Sequence, residues 1–177
     1  MEVKMTTKKI TLAAMFLALG LYLPFLTGQI PEIGSKLLPM HIPVLLCGFI
    51  CGWKTGLLVG IVTPLFRSFV FGMPPFPATA VPMAFELAAY GAIAGFLYCK
   101  LPKKPVSVYI ALITAMIIGR AVWGSVRLIM LLSGVKFSWA IFVSGAFINA
   151  IPGIILQIVL IPLIIIALNS AGVEKRQ

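Results

Sequence analysis

Acidic side chains are nearly missing from this chain. Its 177 residues carry four of them against fourteen lysines and arginines, giving a net charge of +10, and charged residues of both signs make up only 10% of the whole. A soluble domain holds roughly 25%. With 61% hydrophobic residues and a mean hydropathy of +1.12, that poverty excludes an ordinary water-soluble fold. Histidine is reduced to His41 alone, so there is no His-Glu-x-x-His pair, and no cluster of acids exists to hold a catalytic metal. No serine or cysteine nucleophile motif stands near His41. No Gly-rich loop ends in Gly-Lys-Ser/Thr, which excludes ATP hydrolysis by the P-loop route. The three cysteines, Cys47, Cys51 and Cys99, lie in apolar segments without the partners a metal site needs, and they read as small packing residues.

Long apolar runs are what the chain has in abundance. They predict an all-α integral membrane protein, a single domain over residues 1–177 built as a six-helix bundle. The spans fall at about Ile10–Leu26, His41–Gly52, Gly56–Phe71, Val81–Tyr98, Val106–Leu132 and Trp139–Leu168. The second and third are short against the ~20 residues of a full crossing. Turn formers from Thr27 to Pro39, the tripeptide Trp53-Lys54-Thr55, the triple-proline stretch Gly72–Pro77, the run Leu101–Pro105 and a loop from Ser133 to Ser138 separate them. Pro152 and Pro162 are expected to kink the last span. The basic first residues lead into an apolar run without a small-residue cleavage site, so that run reads as a retained span.

Charge orients the bundle. With both termini in the cytoplasm, the inner side holds Lys4, Lys8, Lys9, Lys54, Lys100, Lys103, Lys104, Lys175 and Arg176, whereas the outer loops hold only Lys36 and Lys136. The same distribution argues against nucleic acid, because basic residues sit singly or in pairs at span ends with no stripe interleaved by aromatics. Glycines recurring every four residues (Gly48, Gly52, Gly56, Gly60) and Ala84, Ala88 and Ala92, with Gly91 and Gly95 beside them, predict close helix packing.

Four charged residues remain inside the spans: Arg67, Glu86, Arg120 and Arg127. A cation in hydrocarbon costs several kcal/mol unless it faces a cavity, water or a partner. The excess of positive charge therefore points to an anionic ligand, and a guanidinium matches a carboxylate by a two-point hydrogen bond. The competing reading has one arginine paired with Glu86 and the others reaching lipid phosphates. Arg120, Trp123, Gly124 and Arg127 share one helix face. Trp123 is either the floor for a flat or carboxylated ligand or an ordinary packing aromatic. Asn149 either binds ligand or bridges helices. Gln157, deeper on the same span, reads as a helix–helix hydrogen bond, and His41 as an interfacial polar residue. The proline-rich outer loop could form a lid, with Met73, Phe76 and Met83 lining it.

Ala14-Met-Phe-Leu-Ala18 in the first span, the run His41-Ile-Pro-Val-Leu-Leu-Cys-Gly48 leading to Gly52-Trp-Lys-Thr-Gly56, and Phe147-Ile-Asn-Ala-Ile-Pro-Gly153 carry a resemblance that extends over nearly the whole length. In these features the chain resembles the substrate-binding S-components of energy-coupling factor (ECF) vitamin transporters. The resemblance implies a non-catalytic subunit of a bacterial plasma-membrane importer. Such a subunit binds a vitamin from outside and topples to release it when docked on a transmembrane coupling subunit joined to two ATPase subunits. It gives Ala14 and Ala18 the docking role and makes Arg67, Glu86, Arg120, Arg127 and Asn149 positional candidates for ligand contact, with Trp123 added by the shared helix face. No cofactor or metal is expected; the partners are the vitamin, the energising subunits and membrane lipid. The charge argument favours an anionic vitamin such as pantothenate. A neutral vitamin such as riboflavin, a scaffold of the cell-shape machinery and an intramembrane enzyme are the alternatives.

Overall fold

The structure, a computed structural model, describes residues 7–26, 36–102, 104–132 and 150–171. These form six helices and no strand: α1 (Thr7–Leu26), α2 (His41–Cys51), α3 (Trp53–Phe71), α4 (Ala80–Lys100), α5 (Pro105–Leu131) and α6 (Ile151–Ser170). All but α2 are long and apolar enough to cross a membrane. With 11 residues, α2 covers about 16 Å at ~1.5 Å per residue, half of a ~30 Å hydrocarbon layer.

Helix boundaries differ from expectation where glycine and proline act. The tripeptide Trp53-Lys54-Thr55 is the first turn of α3, not a connection. Gly52 alone turns the chain, at φ 93° and ψ 168°. That region is essentially reserved for glycine, so one residue suffices and the helix resumes at once. Gly52 is thus a turn residue rather than a member of the packing ladder. Pro105 and Pro152 both sit in the first turn of a helix, where a missing N–H costs nothing. Pro152 therefore opens the described part of α6 instead of kinking it. The part of the expected last span before Ala150 lies outside the described residues, as do residues 27–35 and the expected loop from Ser133 to Ser138. Gly72, at φ 70°, caps α3 and starts the non-helical proline loop as expected.

α4 is the centre of the bundle, packed on α2, α3 and α5, while α1 rests on α2 and α3, and α6 on α5 and α2. Small residues make this possible. A side-chain carbon at Gly56 or Gly48 would collide with the backbone of Gly91, and one at Gly60 with the Leu87 carbonyl. Water gives no hydrophobic drive between helices in lipid, so backbone approach of this kind supplies the dispersion contact that replaces it. Cys47 and Cys51 are buried in this core, but Cys99 is exposed on the bundle surface; none is in a disulfide.

The contacts also fix direction. His41 lies beside Glu86, the rings of Phe49 and Tyr98 meet at 5.1 Å, Gly153 packs on Leu37, and Asn169 Nδ2 donates to Tyr98 Oη at 2.8 Å. α2, α4 and α6 therefore run parallel. α5 runs against α4, since Arg120 meets Glu86 while Arg127 meets Ala78.

Candidate functional site

The bundle core contains a polar layer. Glu86 on α4 is 1% exposed and Arg120 on α5 is 6% exposed, with Arg120 Nη1 2.9 Å from Glu86 Oε1. His41, at the start of α2, brings Nε2 to 3.6 Å from the same oxygen and packs edge-on against the Tyr90 ring at 5.2 Å. Tyr90 lies one turn below Glu86 on the same face of α4 and is fully buried. It fits only because its neighbour on α5 is Gly119, where any Cβ would occupy the space of the Tyr90 ring.

Two charges removed from water cost several kcal/mol each, and their mutual attraction offsets this only when the remaining hydrogen-bonding capacity is satisfied. Here it is not. Among the described residues, Arg120 Nε and Nη2, Glu86 Oε1, Arg127 Nε, both His41 ring nitrogens and Tyr90 Oη are buried without an aligned hydrogen bond, as are both polar atoms of the Gln157 amide on α6. The Arg120 atoms matter most. Nη1 is committed to Glu86, which leaves the Nε–Nη2 edge, the side of the guanidinium that grips a planar oxyanion with two parallel bonds.

The other two arginines do not join this layer. Arg67 donates from Nη1 to the Leu21 carbonyl of α1 at 2.6 Å and stacks over the rings of Phe25 (4.9 Å) and Phe71 (5.6 Å). Arg127 donates to the Ala78 carbonyl at 3.1 Å and lies 5.2 Å from the Trp123 ring, which is buried on the inward face shared with Arg120 and Gly124. A single hollow shared by three guanidiniums is therefore not what the described residues form. The reason is local: each arginine found its own acceptor, one a carboxylate and two the backbone carbonyls of Leu21 and Ala78. A groove of about 650 Å³ exists, but Ile61, Val62, Leu65, Phe66 and Phe69 line it on the outer face of α3, together with Phe76. Phe76 packs there rather than over the arginines, and Met83 packs on the core.

His41 corrects an expectation. It is 1% exposed and packed between Glu86 and the Tyr90 ring rather than presented at the bundle surface. Gln157 is another correction, since it makes no helix–helix hydrogen bond among the described residues. Tyr90 was missed, although its spacing of four from Glu86 was legible. Asn149 lies outside the described residues. Ala14 and Ala18 are exposed on α1, on a face continuous with Met15, Leu19 and Tyr22. No group of three or more His, Cys, Asp or Glu able to hold a metal exists among the described residues.

A bundle of long apolar helices packed through glycine around a buried ionic layer is the architecture of an integral membrane protein. The sequence profile of the family described as "ECF transporter, substrate-specific component" matches residues 8–165, and the chain belongs to that family. Neither the curated proteins nor the solved structures contain a significant match. Membership makes this a multi-pass membrane protein and a substrate-binding subunit of a transporter, associated with an energising module that includes ATPases.

Proposed function

We propose that this chain captures an anionic vitamin, with pantothenate the first candidate, on the outer side of a bacterial plasma membrane and delivers it inward when docked on its energising module. The observation that carries the anionic reading is the Arg120 Nε–Nη2 edge, buried and without a hydrogen-bond partner among the described residues while Nη1 is ion-paired with Glu86. A carboxylate closes that edge with two charge-assisted bonds. Glu86 positions the guanidinium, and Trp123 and Arg127 extend the same face of α5 toward the proline loop. Arg67, occupied by Leu21 and two rings, acts in this reading as a clip between α1 and α3. Both termini are taken as cytoplasmic, following the charge bias of the loops.

Ala14 and Ala18 are the proposed contact with the coupling subunit. Their outward position on α1 supports this, since small residues on a lipid-facing stripe let a second helix approach closely. The neutral-vitamin alternative is favoured by one fact, that Glu86 already neutralises Arg120. Titration calorimetry of the detergent-solubilised chain against pantothenate, biotin, folate and riboflavin decides between them. An acid bound near the nanomolar range, and lost in Arg120→Ala, is the expected result. Tight binding of riboflavin alone refutes the anionic reading.

A further inference from the structure

Gln157 is fully buried on α6, and neither its amide oxygen nor its amide nitrogen has a hydrogen-bond partner among the described residues. Two independent contacts fix its depth. Asn169 is bonded to Tyr98, and twelve residues separate Gln157 from Asn169 just as twelve separate Glu86 from Tyr98. On parallel helices with the same rise, Gln157 and Glu86 are level. From the other end, Gly153, one turn before Gln157, packs on Leu37, which leads through the turn at Leu38–Met40 into His41 at the start of α2. The registers agree: His41, Glu86, Arg120 and Gln157, from four helices, occupy one stratum of the bundle.

The charge in that stratum is as informative as its depth. It holds one guanidinium with a two-point edge and one carboxylate 2.9 Å from the same guanidinium. A first carboxylate on a ligand gains the Arg120 edge. A second would meet the Glu86 anion in a water-poor layer, where like charges repel strongly. The other side chains there with buried atoms lacking an aligned hydrogen bond among the described residues, His41, Tyr90 and Gln157, are an imidazole, a phenol and an amide, each able to donate or accept.

Resting on the reading that Arg120 receives an acid, we infer that the ligand is a monocarboxylate whose body carries neutral hydrogen-bonding groups, amide, ureido or hydroxyl, and that Gln157 and His41 recognise that body. An acid with an apolar body leaves Gln157 and His41 unpaired, and sites built for hydrogen bonding reject such analogues strongly. A dicarboxylate is rejected by Glu86.

The test uses the full-length chain in detergent and five probes: pantothenate and biotin as polar monocarboxylates, folate as a dicarboxylate, octanoate as an apolar acid and riboflavin as a neutral ring. Pantothenate or biotin should bind at least 100-fold more tightly than folate, octanoate and riboflavin. Gln157→Met, which keeps the side-chain length, should weaken the bound polar acid at least 10-fold. His41 is the chain's sole histidine, so labelled histidine gives one imidazole signal, and that signal should move when the polar acid is added to the unsubstituted protein. Folate or riboflavin as the tightest probe overturns the inference while leaving a vitamin-binding subunit in place. Octanoate binding as well as pantothenate and biotin removes the role of Gln157 and His41 but keeps Arg120. Binding of none of the five overturns both the inference and the anionic reading beneath it. Should Gln157→Met fail to fold, an unmoved His41 signal on ligand binding overturns the assigned layer by itself.

Discussion

At the scale of single residues, Arg120 and Glu86 are two halves of one charge problem. Removing one leaves the other ionised and buried, at a cost of about 3–5 kcal/mol. Arg120→Ala should therefore lower the melting temperature in detergent as well as abolish binding. The double variant Arg120→Met with Glu86→Gln should recover most of the stability and none of the affinity, which a double-mutant cycle on melting and calorimetry reads directly. Arg67 gives the contrasting outcome. Arg67→Met loses the bond to the Leu21 carbonyl and should destabilise the protein by roughly 1–3 kcal/mol, with ligand affinity unchanged. That these charges lie inside the apolar spans was legible in the sequence, because a lone cation in a hydrophobic run is conspicuous. Which arginine meets Glu86 was not legible. The choice depends on how α4 and α5 are aligned, and the alignment is set by Gly119 admitting the Tyr90 ring, a contact between residues 29 apart in the chain.

Among the elements, the close seam of α3 with α4 and the turn between α2 and α3 both depend on glycine for different physical reasons. At Gly60 the constraint is space, since a side chain meets the Leu87 and Ala88 backbone. Gly60→Ala should cost about 1–3 kcal/mol by overpacking, and Gly60→Leu should prevent assembly altogether. At Gly52 the constraint is the dihedral angle, with nothing within 4 Å of an added carbon. Gly52→Ala and Gly52→Leu should each cost about the same, roughly 1–3 kcal/mol. Thermal unfolding of the four variants in one detergent separates the two causes: cost rising with side-chain size marks space, and cost independent of size marks backbone. The four-residue repeat of small residues announced a packing face in the sequence. It could not tell the turn glycine from its neighbours, because spacing reports position along the chain and not φ.

For the molecule as a whole, binding and docking are predicted to be separable. The polar layer is enclosed by α2, α4, α5 and α6, whereas Ala14 and Ala18 look outward from α1, which is the most exposed of the long helices. Ala14→Leu with Ala18→Leu should leave vitamin affinity within about twofold while eliminating copurification with the coupling subunit and the ATPases. A parallel loss of binding would show that α1 shapes the ligand site and that the two surfaces are one.

Hydropathy and charge scarcity by themselves determined that this is a helical membrane bundle, and they placed most of the described helix ends within a few residues. Lipid imposes those constraints on any chain, one segment at a time. Burial of His41, the pairing of Arg120 with Glu86 in preference to Arg67 or Arg127, and the levelling of Gln157 with that pair were decided only when six helices packed together. They are contacts between segments far apart in sequence, and pattern along one segment holds no information about which face of another it will meet.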